Sequence, residues 1–369
     1  MTGFASRVEA ISISGIREVF EAAGADAINL GLGQPDFPTP SHVREAATEA
    51  IAAGSVDGYT SNKGTDSLRS AIAASYDRTV DPSNLIATSG ASEALHIALQ
   101  AHVEAGDEVI IPDPGFVSYD ALTRVAGGIP KPIPLREDLT LDPETVEAEI
   151  SDDTVAFVVN SPANPTGAVQ SQSDIAAFAR LADEHDILCL SDEVYEHIIF
   201  EGDHYSPASF AESDNVVVIS ACSKTYSMTG WRLGWVHASH RRIERMLRVH
   251  QYAQACASAP AQYAAEAALT GPQDCVGDMV AAFEERRDVL LDGLEDAGLP
   301  TPVPRGAFYA MPRVPDGWVE EVLDRGVIVV PGDAFGQHGA GQARLSYATG
   351  IEELKTALEI MREAARAVR

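Results

Sequence analysis

The sequence predicts an α/β fold with a large domain, built on a mostly parallel sheet between helices, and a smaller α+β domain. From about residue 41, compact apolar runs alternate with helix-length amphipathic segments, as is typical of strands buried on both faces. After about residue 280, a charged helix leads into short strands and a last helix. No Pro- or Ser-rich linker separates the two lobes, so we expect one rigid unit with a cleft between them.

Local signals predict each element in order. Two amphipathic segments predict helices that end at Gly54 and Gly106, because glycine adopts the left-handed conformation that terminates helices. Further helices are predicted at 173–185, at 281–298 and from Ile351 onwards. The predicted strands of the large domain are 107–112, 127–135, 154–160, 186–193, 215–220 and 232–239, and those of the small domain lie within 306–312, 326–332 and 343–348.

These elements divide the chain into three parts. Residues 41–280 form the predicted large domain, and residues 281–369 form the small C-terminal domain. Residues 1–40 lack an alternation of strands and helices of their own, and we predict that they pack on the small domain.

The charge is strongly acidic, with 26 basic and 55 acidic residues and a net charge of -29. This surplus repels phosphate backbones and anionic lipids, so we expect neither nucleic acid nor membrane partners. Only four residues are lysines, which favours a halophilic surface over that of an ordinary acidic protein. No apolar stretch approaches the ~18 residues of a membrane span, and no metal-binding motif is present. We therefore predict a soluble, cytoplasmic protein without a metal.

Two segments have the composition of ligand-binding turns. Residues 88–95 place small side chains at the start of a helix, where backbone N–H groups can bind a phosphate. The alternative is that Ser89 or Ser92 simply caps that helix. Residues 160–167 follow a predicted strand, and two prolines flank Asn164. Such a turn lies where open α/β sheets bind ligands, although it is also consistent with Asn164 bonding its own backbone.

Two further segments place charged residues at strand ends. Asp192 follows an apolar strand, so it is either a partly buried carboxylate that needs a cation or an ordinary helix cap. Lys224 lies among small residues between two apolar runs in a chain that nearly avoids lysine. Partial burial lowers the pKa of a lysine and leaves a nucleophilic amine, whereas a lysine in an arbitrary segment is usually a solvated surface residue. Arg232 can bind a phosphate bidentately.

Together these segments resemble the class I/II aminotransferases that depend on pyridoxal phosphate. The likeness is closest to the archaeal aromatic or broad-specificity enzymes and the prokaryotic aspartate aminotransferases, and it extends from about Ser14 to the last helix. It implies fold type I, with a seven-stranded sheet in the large domain. The motifs that carry it are SGIREVFE, LGLGQPDFPTP, GYTSNKGTDSLRSAI, NSPANPTGAV, SDEVYE, SKTYSMTGWRLGW, GAFY, VVPGDAFG and RLSYAT.

The resemblance implies a role for each matching residue. Lys224 carries the cofactor as a Schiff base and then moves a proton between substrate and cofactor. Asp192 pairs with the protonated pyridine nitrogen, while Tyr195 and Asn164 hydrogen-bond the phenolic oxygen of the ring. Phe116 stacks on the ring, in a position where many relatives have tryptophan. The residues that bind the phosphate are Gly90, Ala91, Ser92, Ser223 and Arg232.

The family also predicts how the substrate and a second subunit take part. Arg344 binds the substrate carboxylate, with Gly33 and Asn164 beside it. Tyr59 reaches the phosphate of the other subunit's cofactor, so the resemblance implies a homodimer with shared active sites. The reaction is ping-pong, from an L-amino acid to a 2-oxo acid such as 2-oxoglutarate.

The resemblance specifies the amino-acid substrates less tightly than it specifies the cofactor. In aspartate-preferring relatives, a lysine beside the phosphate site receives the distal carboxylate, and this chain has Ser92 there. This favours aromatic or broad specificity. Lys63 or Arg17 can compensate for the missing lysine, so an aspartate aminotransferase remains the alternative.

Two other functions compete with this prediction, and a third is excluded. A β-C–S lyase or decarboxylase of the same fold uses the same lysine, aspartate and tyrosine. A regulatory aminotransferase-like protein needs a DNA-binding extension, for which we expect no room before Ser14, and the acidic charge opposes it. A nicotinamide-dependent dehydrogenase is excluded because Gly31 and Gly33 lack the third glycine of its motif.

Overall fold

The computed structural model describes residues 3–11 and 27–369. Short hydrogen-bonded strands form three sheets in these residues. In chain order the strands are β1 (Ile28–Asn29), β2 (Leu85–Thr88), β3 (Glu108–Asp113), β4 (Ile129–Pro134), β5 (Thr154–Asn160), β6 (Leu188–Asp192), β7 (Val216–Ala221), β8 (Gly234–His237), β9 (Tyr309–Ala310), β10 (Val327–Ile328), β11 (Val330–Pro331) and β12 (Ala343–Ser346).

The central sheet has seven strands in the order β2, β8, β7, β6, β5, β3 and β4. Only β8 runs against its neighbours, and the other pairings of this sheet are parallel. The predicted mostly parallel, seven-stranded sheet is therefore confirmed. Two small sheets accompany it: β1 pairs with β10 in parallel, and β11, β12 and β9 form an antiparallel sheet.

Helices cover both faces of the central sheet and surround the small sheets. Short 3-10 helices lie at Pro82–Asn84, Pro207–Ser209, Thr229–Trp231, Gly332–Phe335 and Gln337–Gly339. The α-helices of the described residues are α1 (Ser6–Glu9), α2 (Ser41–Ala52), α3 (Asp66–Ala74), α4 (Ala91–His102), α5 (Ser118–Ala126), α6 (Pro143–Ala148), α7 (Gln172–His185), α8 (Cys222–Thr225), α9 (His240–Ala253), α10 (Ala259–Thr270), α11 (Asp274–Asp296), α12 (Trp318–Asp324) and α13 (Ile351–Ala367).

Two sequence predictions need correction. The edge strand β2 was missed, because a run of four residues after a turn gives a weak periodic signal. The helix predicted to end at Gly106 ends at His102, where Val103 turns to an extended conformation. Gly106 has a positive φ of 103°, but it serves a turn that follows the helix. The prediction mistook this turn glycine for the residue that ends the helix.

Strand periodicity separates the two cores of the large sheet. Along β6, Leu188 and Leu190 pack on the face covered by α4, α5 and α9, whereas Cys189 packs on the face covered by α6 and α7. The alternation follows from the two-residue repeat of a strand. Asp192 follows Leu188 and Leu190 in this alternation, and Glu193 follows Cys189. The two adjacent acids therefore lie on opposite faces of the sheet.

The C-terminal residues form a further core around α11, α13 and the small sheets, and Leu30 is part of it. Strand β1 joins this region by pairing with β10. The predicted boundaries at residues 40 and 280 remain a proposal, and α11 spans residue 280 without a break. No helix in the described ranges is long and apolar enough to cross a membrane.

Candidate active site

The carboxyl ends of the parallel strands bring the predicted polar residues together. Asn160 ends β5, Asp192 ends β6, and the two are paired in register. Strand β7 runs directly into α8, which carries Lys224. This edge of an open α/β sheet is where ligands bind.

A cavity of about 320 Å³ opens at this edge, between the large sheet and the C-terminal core. Two predicted residues lie outside its lining: Gly90 is next to it, and Tyr59 is on the surface with 91% of its area exposed. The predicted residues that line the cavity are Gly33, Ala91, Ser92, Phe116, Asn164, Asp192, Tyr195, Ser223, Lys224, Arg232 and Arg344.

The amine of Lys224 lies in a poorly solvated, cationic environment. Burial, together with the charges of Arg344 and Arg232, lowers the pKa of Lys224 to about 8. The amine donates a hydrogen bond to the carbonyl of Gly33 at 2.6 Å. A pKa in this range leaves an appreciable fraction of nucleophilic amine near neutral pH. The alternative of a solvated surface lysine therefore does not describe Lys224.

The carboxylate of Asp192 is buried and forms no ion pair with a cation of the described residues. Burial raises the pKa of Asp192 to about 6. Its Oδ2 accepts a hydrogen bond from the Tyr119 hydroxyl at 2.8 Å, and its Oδ1 accepts one from the Val194 N–H at 3.3 Å. No lysine, arginine or histidine of the described chain lies within 4 Å of it. Because an unpaired buried carboxylate is costly, this position suits a cationic ligand.

Tyr119 is a site residue that the sequence predictions missed. It lies three residues after Phe116, and the two rings meet edge to face with centroids 5.6 Å apart. A spacing of three residues along a chain that enters a helix places two side chains on the same side. This spacing was the available signal, but the partner of the hydroxyl, Asp192, is distant in sequence.

Arg344 is a buried cation that also lacks an ionic partner in the part of the chain that the structure describes. Only 2% of the residue is exposed, and no carboxylate of residues 3–11 or 27–369 lies within 4 Å. Its guanidinium donates to Asn164 Oδ1 at 3.0 Å and to the carbonyl of Gly31 at 2.5 Å. The Nε of Arg344 is buried and has no acceptor among the residues of these two ranges. Burial lowers the pKa of Arg344 below its ordinary value, and an anion in the cavity would relieve this cost.

The aromatic rings around Arg344 hold it in place. The guanidinium carbon lies 4.7 Å from the ring centres of both Tyr309 and Phe335. The Tyr309 hydroxyl lies 2.8 Å from that of Tyr195. A Cβ at Gly33 would come within 2.5 Å of the same Tyr309 hydroxyl, so glycine is required there. Tyr309 belongs to the GAFY motif but was not predicted to line the site.

The start of α4 forms the anion-binding end of the cavity. Gly90 caps the helix with a φ of 79°, and no serine side chain caps it, so the alternative of a serine cap is wrong. Within the described residues, the backbone N–H groups of Ala91 and Ser92 have no acceptor. Arg232 donates to the Ser89 carbonyl at 3.3 Å. A Cβ on Gly90 would lie 2.6 Å from the Arg232 guanidinium, so glycine permits this close approach.

Lys63 and Arg17 are the two residues expected to compensate for the lysine that aspartate-preferring relatives have in place of Ser92. Lys63 does not line the cavity, because its amine binds Glu244 at 2.7 Å and the Ser83 carbonyl. Arg17 lies outside the described residues. The alternative for Asn164, a bond to its own backbone, is also wrong, since its Oδ1 accepts from Arg344.

Comparison with known proteins identifies the family. The family model "Aminotransferase class I and II" matches residues 25–361. The chain belongs to this family. A probable aspartate aminotransferase of Methanocaldococcus jannaschii is 43% identical, covering 97% of this chain and 98% of that protein. An aromatic-amino-acid aminotransferase of Thermococcus litoralis is 37% identical, covering 96% of each.

A solved structure shares the fold over nearly the full chain. Aspartate aminotransferase from Thermus thermophilus with maleate has a TM-score of 0.94 and 38% identity, covering 99% of this chain and 100% of that chain. Fold type I and the resemblance to class I/II aminotransferases are thus confirmed. The protein is a transaminase that depends on pyridoxal phosphate and transfers an amino group from an amino acid to a 2-oxo acid.

The cavity fits this cofactor chemically. The free N–H groups of α4 and the Arg232 guanidinium suit a phosphate. The buried carboxylate of Asp192 suits a protonated ring nitrogen, and the Lys224 amine suits an aldehyde.

Proposed function

We propose that this aminotransferase uses aromatic amino acids or a broad range of L-amino acids, with a 2-oxo acid such as 2-oxoglutarate as acceptor. We further propose that the residues around the cavity have the roles given below. The observation that carries this proposal is that three groups with unmet electrostatic needs face one cavity. These are the Lys224 amine, the Asp192 carboxylate and the Arg344 guanidinium.

When bound, pyridoxal phosphate supplies an electron sink for the bond broken at the substrate Cα. Lys224 would hold the cofactor covalently until the substrate amine displaces it. Its freed amine would then take the proton from the substrate Cα and deliver it to the cofactor carbon that had been bonded to Lys224. Its lowered pKa supports this role, because a base near its pKa can accept and release protons. Asp192 binds the protonated ring nitrogen, and this cation offsets the cost of burying the carboxylate.

Further residues orient the cofactor. Tyr195 and Asn164 donate hydrogen bonds to its phenolic oxygen, and Phe116 packs against the ring. The support for these roles is that all three line the same cavity as Asp192. The phosphate is bound by the start of α4 at Gly90, Ala91 and Ser92, together with Ser223 and Arg232.

Arg344 binds the α-carboxylate of the substrate. Its planar guanidinium is held between two aromatic rings, which favours bidentate contact with a planar carboxylate. Asn164 contacts Arg344 directly, and Gly33 leaves room for the carboxylate beside Tyr309. Fixing the carboxylate turns the Cα–H bond toward Lys224, which is the orientation that proton transfer needs.

The cations of the cavity support aromatic or broad specificity. Lys224, Arg232 and Arg344 are the lysines and arginines of the described residues that line it. Each of these three cations is assigned to the cofactor or to the α-carboxylate of the substrate. None of them therefore remains to bind a second carboxylate on the substrate's side chain. Aspartate is the second candidate substrate, favoured by the names of the relatives from Methanocaldococcus jannaschii and Thermus thermophilus.

We also propose a cytoplasmic, halophilic homodimer. Tyr59, Tyr252 and Phe4 expose 91%, 89% and 84% of their areas, which supports burial against a second copy. In that dimer, Tyr59 contacts the phosphate of the partner's cofactor.

The net charge of -29 supports salt adaptation. We expect the melting temperature to rise between about 0.1 M and about 1 M KCl, as screening shortens from roughly 10 Å to 3 Å. A falling melting temperature would contradict the halophilic assignment.

The substrate proposal is tested by single-turnover reactions of the holoenzyme with tyrosine, phenylalanine, alanine and aspartate. The cofactor spectrum reports the rate of each reaction. We expect tyrosine or phenylalanine to react at least as fast as aspartate at equal concentration. A rate with aspartate at least tenfold above all others would establish the second candidate. Glutamate formed from 2-oxoglutarate confirms transfer, whereas pyruvate with ammonia, or CO₂, would indicate the lyase or decarboxylase.

A further inference from the structure

A buried acid lies directly behind the proposed phosphate site. Glu93 is in the first turn of α4, and only 8% of the residue is exposed. Its Oε2 accepts a hydrogen bond from the N–H of Ser89, the residue before the Gly90 cap. A glutamate that reaches back from the first turn in this way fixes the chain where it enters the helix.

His250 holds the other oxygen of this carboxylate. Its Nδ1 lies 2.7 Å from Glu93 Oε1, and the imidazole is fully buried. Because a carboxylate accepts at both oxygens, Nδ1 is the donor. The Nε2 of His250 is buried and has no hydrogen-bond partner in residues 3–11 or 27–369. Glu93 is thus the polar contact that accounts for a histidine at this place in α9.

The turn before α4 is also held from its opposite side. Arg232 donates to the Ser89 carbonyl, while Glu93 accepts from the N–H of the same residue. A Cβ on Gly234 would lie 2.7 Å from both Ala91 N and Gly90 C, so β8 packs tightly against the turn. The N–H groups of Ala91 and Ser92 therefore have little freedom of direction. Loss of the Glu93 contact would release one side of this arrangement.

We propose that Glu93 and His250 are a positioning pair that aims the N–H groups of Ala91 and Ser92 at the cofactor phosphate. His250 orients the Glu93 carboxylate, and Glu93 fixes the peptide of Ser89. Neither side chain lines the cavity, so the pair acts through the backbone. This inference rests on the proposed phosphate-binding role of the α4 start.

The test compares pyridoxal phosphate with pyridoxal, which lacks the phosphate. Both are titrated into apoenzyme, and the dissociation constants are read from the cofactor spectrum. The variants are Glu93→Ala and His250→Leu, each with a conservative partner, Glu93→Gln and His250→Gln. Tyr76→Phe is the control, because it removes the acceptor of a partly buried hydrogen bond, 2.8 Å long, that the Trp235 Nε1–H donates outside the turn. All titrations are made below the melting temperature of the least stable variant.

We expect Glu93→Ala and His250→Leu to weaken binding of pyridoxal phosphate by about tenfold or more, the effect of losing a charged hydrogen bond. Binding of pyridoxal should stay within about twofold of wild type, because the phosphate site is not used. Glu93→Gln should recover most of the affinity, since its amide oxygen can accept from Ser89. His250→Gln should also recover affinity, and Tyr76→Phe should leave both constants unchanged.

Two results would overturn the inference. One is an equal loss of affinity for both compounds, which indicates general destabilisation. The other is unchanged affinity for pyridoxal phosphate in correctly folded Glu93→Ala and His250→Leu. A third result would show that the proposed phosphate site itself is wrong. If the wild type binds both compounds equally well, the start of α4 does not bind phosphate, and both proposals fail.

Discussion

Asp192 and Glu193 are adjacent buried carboxylates with opposite environments. Glu193 accepts hydrogen bonds from Ser191 at 2.8 Å, Ser206 at 2.6 Å and His204 at 3.2 Å. Burial acts to raise the pKa of Glu193, but these contacts, with His204 the largest, outweigh it and lower the pKa. The carboxylate of Asp192 has fewer donors, and its pKa is raised to about 6 by burial.

Two buried arginines differ in the same way. Arg287 is paired with Glu201, Glu284 and Asp288. Arg344 has no carboxylate partner among the described residues and stacks between aromatic rings instead. A structural charge is satisfied by its own chain, whereas a functional charge is left for a ligand to satisfy. This contrast locates the site more specifically than burial does.

The largest expected effect separates the two acids. Asp192→Asn should lower kcat/KM by about two to four orders of magnitude, because it removes the charge proposed to pair with the ring nitrogen. Glu193→Gln should leave kcat/KM within about tenfold of wild type, since its side chain faces the opposite side of the sheet. Steady-state kinetics with saturating cofactor measure both. Similar losses of kcat/KM in the two variants would contradict the distinction between Asp192 and Glu193.

The two arginines provide the second test. Arg344→Gln should raise KM for the amino acid by about a hundredfold or more, through loss of a bidentate contact to its carboxylate. Arg287→Gln should leave KM near the wild-type value and instead lower the free energy of unfolding by about 1–3 kcal/mol. Initial rates and chemical denaturation distinguish these outcomes. An unchanged KM in Arg344→Gln would remove Arg344 from substrate binding.

The stability of the apoenzyme should change in opposite directions for the two acids. Because the pKa of Asp192 is raised to about 6 from 3.8, the folded state loses stability as the pH rises between these values. Asp192→Asn should therefore stabilise the apoenzyme above about pH 6, by roughly 1–3 kcal/mol. The pKa of Glu193 is lowered, so its carboxylate stabilises the fold at pH values above the ordinary pKa of a glutamate. Glu193→Gln should therefore destabilise the apoenzyme. Denaturation of both variants near neutral pH measures this difference, and equal signs would contradict it.

The smallest expected effect concerns Tyr119. Tyr119→Phe removes one hydrogen bond to Asp192 and should raise the pKa of that carboxyl further, since the bond favours its charged form. We expect kcat/KM to fall by about tenfold or less, with a larger loss on the acidic side of the pH profile. A profile parallel to that of wild type would show that the hydroxyl does not tune Asp192.

The sequence was sufficient for features that depend on local pattern. Apolar runs located most strands, and the polar residues that follow them identified Asp192 and Lys224. Contacts between distant segments were not accessible in the same way. Tyr119 bonds a residue 73 positions away, and Tyr195 meets Tyr309 over 114 positions. Such pairs leave no periodic signal, because only the folded chain brings them together.

Local chemistry also misled in two places. Gly106 fits a helix end by residue type, but it lies in a turn after the helix, because turns and helix ends require the same left-handed conformation. Ser89 and Ser92 fit a helix cap by residue type, yet Gly90 takes that position because Arg232 leaves no room for a side chain. The role proposed for Tyr59 requires a second chain, so neither the sequence pattern nor one subunit tests it.

The most direct test of the central claim is to find the residue that holds the cofactor. Borohydride reduction of the holoenzyme, followed by peptide mass mapping, fixes and locates the covalent link. The chain has only four lysines, so the assignment is unambiguous. We predict the added mass of the reduced cofactor on the peptide containing Lys224, and none in Lys224→Ala. Modification at Lys63, Lys131 or Lys355 instead, or an unmodified chain in active enzyme, would contradict the account.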